Sequence, residues 1–142
     1  MADAWKLAIE RARKHAPFLA LGLDRFPELA EILTSGQGEE ALRWAKALGN
    51  AEPDIGVALR RERTALALVL AIGDLAGVFS LRLVFDELSA LADRALDAAI
   101  ADAIRKRMPD VEPAGFTALA LGKHGARELN YSSDIDPILL YD

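Results

Sequence analysis

Two aspartates two residues apart, Asp134 and Asp136, are the side chains best placed to do chemistry in this chain, and a glycine-lysine bend precedes them. The apolar run that follows them reads as a strand that already includes both. Residues i and i+2 of a strand share a face, so the two carboxylates project side by side, roughly 7 Å apart at Cα. Ile135, between them, is expected to point the other way, toward a core. Two hard oxygen donors on one rigid edge suit Mg²⁺, which takes a few carboxylates and completes its shell with substrate phosphates. A lone Asp-x-Asp would equally fit an exposed acidic pair at a strand start. The preceding Gly122-Lys123-His124-Gly125 and Ser132-Ser133 favour the metal-binding reading.

Gly122 and Lys123 are the phosphate candidates, because a tight glycine turn brings backbone N–H groups close to an anion and the lysine adds a cation. The plainer alternative is a hairpin-like turn with a solvated lysine. Ser133 either donates to a phosphate or fixes the turn-forming run Asn130-Tyr131-Ser132-Ser133. Arg127 and Glu128 are read as structural, paired with each other or with the helical part of the chain.

The elements that must position these residues are helices first and two strands last. A stripe of Trp5, Ala8, Ile9 and Ala12 predicts a helix over Ala2–His15, stopped before Pro17. Residues 18–21 lead into a second short helix, and Pro27 stands at a first helical position that residues 28–33 continue. A loop at 35–38 leads to a helix over 39–48, with Ala41, Leu42, Trp44 and Ala45 facing inward. A long helix over 54–76 has a basic first half, in which Arg60, Arg61, Glu62 and Arg63 read as a solvated, ion-paired face. The last long helix covers 80–107, with Leu83, Leu88, Leu91, Ala95, Leu96, Ala99 and Ile104 as its buried side. Pro109 and Pro113 mark a boundary, so residues 1–110 read as a helical module and 111–142 as the start of a second domain. Trp5 and Trp44 belong to the core. Asp74, inside an apolar helix, needs a partner if it is buried.

Composition narrows the function classes. The 142 residues carry a net charge of −5, so the basic footprint of a nucleic-acid binder is missing. No cysteine is present, which excludes disulfides and thiolate metal sites. The first residues lack the pattern of a signal peptide. The segment 64–81 approaches the length of a membrane span. Asp74 near its middle costs about 2.5–3.5 kcal/mol on insertion scales, so it reads as a buried helix, and the protein as cytoplasmic with no membrane partner.

The run GKHGARELNYSSDID, residues 122–136, resembles the nucleotidyltransferase core of bacterial glutamine synthetase adenylyltransferases, also called adenylyl-removing enzymes, of the DNA polymerase beta-like superfamily. Ala120 and Ala126 stand where that family's pattern has glycine, and His124 and Pro137 where it has leucine. His15 and His124 are accordingly read as helix-end and packing or surface residues rather than as a ligand or general base. Three helical phrases extend the resemblance: 17–33, 59–77 and 87–96.

The resemblance implies a mainly α fold followed by the first two strands of an α+β nucleotidyltransferase core. It implies Mg²⁺ on Asp134 and Asp136, and ATP, ADP or phosphate held by Gly122, Lys123 and Ser133. It further implies glutamine synthetase as the substrate and the PII signal protein as a partner of other parts of the parent. Two strands make no stable sheet alone, and Asp142 ends the chain beside the second. The expectation is therefore an N-terminal fragment, inactive by itself, with further strands and a third carboxylate beyond it, and the motif's place after about one helical module favours the adenylyl-removing half. The alternatives are the transferring half, an enzyme related to the uridylyltransferase of PII, and a non-catalytic helical module.

Overall fold

The computed structural model describes residues 2–141, so Asp142 lies outside the described residues. The fold is mainly α with one two-stranded sheet. Its contacts divide into two compact units, residues 1–84 and 85–142.

In the first unit, helices α1 (Ala2–His15), α2 (Pro17–Arg25), α3 (Pro27–Thr34) and α4 (Gly38–Ala47) and a 3₁₀ turn (Leu48–Asn50) surround α5 (Ile55–Leu75). Prolines open α2 and α3, where a missing N–H costs nothing. Asp54 caps α5 by accepting from the Val57 N–H at 2.8 Å. The second half of α5 carries no polar stripe. Leu66, Leu68, Val69, Leu70 and Ile72 are all buried, as expected of a helix enclosed by others. Asp74 comes at the exposed end, so the need for a buried partner does not arise.

Gly73, which looks like a weak point in a helix, has a packing reason. A Cβ there would lie 2.2 Å from the Phe79 ring, which in turn meets Trp5 edge-on at 5.4 Å between centroids. The backbone leaves the helix at Gly77, φ +68°, where the Gly73 carbonyl accepts from the N–H groups of Val78 and Phe79. The apolar stretch 64–81 is thus broken. Among the described residues no helix is long and apolar enough to cross a membrane.

One expectation for this unit is corrected. Glu62 does not belong to a solvated face with its arginine neighbours. It is buried at 3% exposure, with a carboxylate oxygen 2.2 Å from where a Gly49 Cβ would stand. Arg61 pairs with Glu52 instead, and Arg60 and Arg63 are exposed.

The second unit contains most of α6 (Leu81–Arg107), the strands β1 (Phe116–Ala120) and β2 (Pro137–Tyr141), and a single helical turn, α7 (Gly122–Gly125). The strands are antiparallel, with register running from Phe116 opposite Tyr141 to Ala120 opposite Pro137. Phe116 and Tyr141 stack at the open end, 5.8 Å between centroids. Leu119, Ile138, Leu139 and Leu140 remain exposed, so neither sheet face is closed among the described residues.

Candidate active site

The segment between the strands builds the site. β1 ends at Ala120, and the chain turns at once because Gly122 has φ +55°, a left-handed conformation that glycine takes without steric cost. α7 follows for one turn and closes with two reversed hydrogen bonds. The Glu128 N–H donates to the Lys123 carbonyl at 2.7 Å and the Arg127 N–H to the His124 carbonyl at 3.0 Å. This is a Schellman closure, and its left-handed residue is Arg127, at φ +56°, where glycine is usual. Gly125 packs against β1 so closely that a Cβ would lie 2.5 Å from the Ala120 carbonyl oxygen.

Asn130 organises the next bend. Its Oδ1 accepts from the Ser132 N–H at 3.1 Å and from the Ser133 hydroxyl at 3.0 Å. Its own N–H donates to Ser133 Oγ at 3.0 Å. Of the two roles open to Ser133, fixing the turn is the one its contacts show, and its single hydroxyl proton is spent on Asn130.

Asp134 and Asp136 then follow in the segment leading to β2, not within the strand as expected. The reason is the pairing. β1 stops at Ala120, which faces Pro137, and Pro137 has no N–H to extend the ladder. Residues before Pro137 have no strand opposite them among the described residues. Ile135 correspondingly reaches no core and is 36% exposed.

Despite that correction, the five predicted site residues come together. Gly122, Lys123, Ser133, Asp134 and Asp136 line one open cleft of about 470 Å³, with Leu121, Asn130 and Ser132 completing its wall. Both aspartates are exposed, and among the described residues neither enters an ion pair, nor does Lys123. A cleft holding two free carboxylates and one free ammonium beside left-handed glycine backbone has donors for a divalent cation and for the phosphate it accompanies. The donor set fits Mg²⁺, whose usual protein ligands are one or two carboxylates. Among the described residues no group of three or more acidic or histidine side chains stands ready for a metal.

The chain matches the family described as glutamate-ammonia ligase adenylyltransferase over residues 10–142. It belongs to that family. Curated relatives named bifunctional glutamine synthetase adenylyltransferase/adenylyl-removing enzyme include one from Xanthobacter autotrophicus, 44% identical over 109 residues, which are 69% of this chain and 11% of the relative. The protein of that name from Caulobacter vibrioides is 40% identical over 144 residues, 89% of this chain and 14% of the relative. The one from Brucella suis is 33% identical over 146 residues, 89% and 15% respectively. The chain thus spans about one-ninth to one-seventh of the length of the relatives it matches. No solved structure matches it.

One residue near the site was not legible in the sequence. Asp93, on α6, accepts from Arg127 Nη1 at 3.0 Å and lies 2.7 Å from His124 Nε2. Arg127 Nε also comes within 3.8 Å of Asp86, so Arg127 does pair with the helical part of the chain. Burial pushes the Asp93 carboxyl up, but hydrogen bonds from His124 and Arg127, together with their charges, outweigh it and hold the group below the usual carboxylate value. Asp93 is therefore ionised at neutral pH and can only accept, so His124 Nε2 carries the proton between them. The sequence signal was slight, an aspartate in Leu91-Ala92-Asp93-Arg94 whose partners lie more than 30 residues away.

Proposed function

We propose that this chain contributes the metal and phosphate end of an active site in an enzyme that acts on adenylylated glutamine synthetase. Asp134 and Asp136 hold Mg²⁺, and Gly122 and Lys123 receive phosphate, with Ser133 shaping the wall between them. Mg²⁺, when bound, neutralises phosphate charge and stabilises the charge that develops at phosphorus. The reaction is removal of AMP by phosphorolysis. An oxygen of inorganic phosphate attacks the adenylyl phosphorus, the bond from phosphorus to the tyrosine oxygen breaks, and the phenolate takes up a proton. The products are free tyrosine and ADP. The cleft's own residues bind and orient the anions, with Lys123 offsetting the charge that two phosphates bring together.

The observation that carries this reading is the convergence of Gly122, Lys123, Asp134 and Asp136 on one cleft in a chain of this family. Residues 111–142 are then the opening of a nucleotidyltransferase core, completed by parts of the parent outside this chain. Regulation through the PII signal protein would act on those other parts.

The test uses the full-length parent protein with adenylylated glutamine synthetase, Mg²⁺ and phosphate, reading ADP release. Asp134→Asn and Asp136→Asn should each lower turnover on the order of 10²–10³-fold, as loss of one transition-state-stabilising group does. Both residues are exposed, so the fold should survive. Turnover unchanged in either variant refutes the assignment. AMP addition from ATP with no phosphate-dependent ADP release moves the site to the transferring activity.

A further inference from the structure

The bend that carries Lys123 is held from behind by a polar cluster that the proposed reaction does not use. His124 is 3% exposed, although the residues on either side of it are open to solvent. Its Nε2 bonds to one oxygen of Asp93, and Arg127 Nη1 bonds to the other. The two side chains leave the same Schellman-closed turn and meet on one carboxylate of α6. Asp86, seven residues before Asp93 and on the same helix face, approaches Arg127 from the next turns.

The arrangement resists rearrangement for two reasons. The other imidazole nitrogen, Nδ1, is buried with no partner. Releasing Asp93 would therefore leave both ring nitrogens unpaired inside the fold, which is costly. Arg127 also holds a left-handed backbone that non-glycine residues avoid, and its side chain is anchored at the far end. Gly125 fixes the turn against β1. Only the side bearing Gly122 and Lys123 faces the cleft.

We infer that Asp93, His124 and Arg127 form a clasp that sets where the Gly122–Lys123 backbone and the Lys123 ammonium stand in the cleft, with His124 and Asp93 as positioning residues for phosphate. The inference rests on reading the cleft as a phosphate site.

The experiment has two arms in the full-length parent protein. The first measures amide hydrogen exchange of the peptide 121–128, with a peptide from α5 as internal control. The second measures KM for inorganic phosphate and kcat for ADP release. His124→Leu, which keeps apolar volume without a donor, and Asp93→Asn should each speed exchange at 121–128 by about tenfold or more. Both should raise the phosphate KM about 10–100-fold, the range seen when a supporting residue is lost, with kcat changed less. His124→Gln, whose amide nitrogen can reach the same Asp93 oxygen, should restore both readouts to within about threefold of wild type, far short of that loss. A packing role gives the opposite order, with leucine near wild type and glutamine worse, and that result overturns the clasp. Unchanged exchange in both His124→Leu and Asp93→Asn overturns it too. If His124→Leu does not fold, Asp93→Asn decides, since Asp93 lies partly in solvent. Absence of any phosphate-dependent turnover in the wild type counts against the proposed function alone, while the exchange arm still judges the clasp.

Discussion

Gly122 and Gly125 bound the same helical turn, yet substituting them should fail in opposite ways. At Gly122 there is open space, with no heavy atom within 4 Å of a built Cβ, but φ is +55°. An L-residue there costs about 1–2 kcal/mol, a factor of roughly 5–30 in the population of a correctly formed turn. Asparagine tolerates this conformation better than alanine because its short amide bonds locally. At Gly125 φ is not in the left-handed range, and the obstacle is the Ala120 carbonyl, 2.5 Å from the Cβ position. Reaching ordinary contact needs roughly 1 Å of movement between α7 and β1, an overpacking cost of about 1–3 kcal/mol. A shift of that size at a binding group can cost about 10² in rate. Here the larger asparagine must be worse than alanine. The predicted ranking therefore inverts. Gly122→Asn should outperform Gly122→Ala, and Gly125→Ala should outperform Gly125→Asn. Exchange at 121–128 and phosphate KM in the full-length parent read both pairs. Finding the same order at the two positions would refute the reasoning, because a single cause would then act at both.

Two further outcomes follow from the cluster behind the turn. Arg127→Ala and Arg127→Gly both lose the bonds to Asp93, but only alanine keeps the left-handed strain at φ +56°. Arg127→Gly should be the more stable by about 1 kcal/mol in urea unfolding, and alanine equal to or better than glycine would exclude strain at that position. The pH dependence follows from Asp93, whose carboxyl is held below its ordinary value. A depressed carboxylate contributes stability that is complete above its unfolded pKa of about 3.9 and is lost as pH falls through the lower folded value. The stability gap between wild type and Asp93→Asn should be present above about pH 4 and shrink as pH falls below it. A gap that changes between pH 5 and 8 would assign the dependence to another group.

How much was legible in the sequence depended on whether the deciding interaction was local. The α1 boundaries, Ala2–His15, follow from one apolar stripe and the proline two residues on, and the long helix expected over 80–107 starts within one residue of α6, Leu81–Arg107. The mainly α fold with two terminal strands follows from the same kind of signal. Glu62 was misplaced because three arginines around it make the stretch look solvated. Yet its spacing from Ala58, Ala65, Leu66 and Val69 puts it on their buried face. Helical phase should have outweighed composition there. The strand was extended too far toward Asp134 because strand length is set by the partner, and β1 had already turned into α7. The buried side of α6 was drawn too completely, since Leu91 is buried but Ala99 is exposed. Asp93 as an anchor depends on contacts across more than 30 residues, which no local pattern carries.

Of the four departures from the family's pattern, Ala120 and Pro137 lie on the strands, and His124 and Ala126 lie in the turn on the side away from the cleft. Gly122 and Lys123 face the cleft, Gly125 meets β1, and His124 turns to α6. Neither His124 nor Ala126 lines the cleft. Ala126 has φ −78° and ψ −7°, an ordinary right-handed conformation, so alanine in place of glycine costs the backbone nothing there. The left-handed position is the next one, Arg127. His124, where the pattern has leucine, places a hydrogen bond to Asp93 behind the turn, away from the cleft-facing residues. The two faces of α7 can therefore vary independently in chemistry but not in position, because one helical turn carries both. If the clasp holds, a substitution that shifts the α7 backbone at His124 should carry Lys123 with it relative to Asp134 and Asp136, which the exchange and phosphate KM of such a variant would read together.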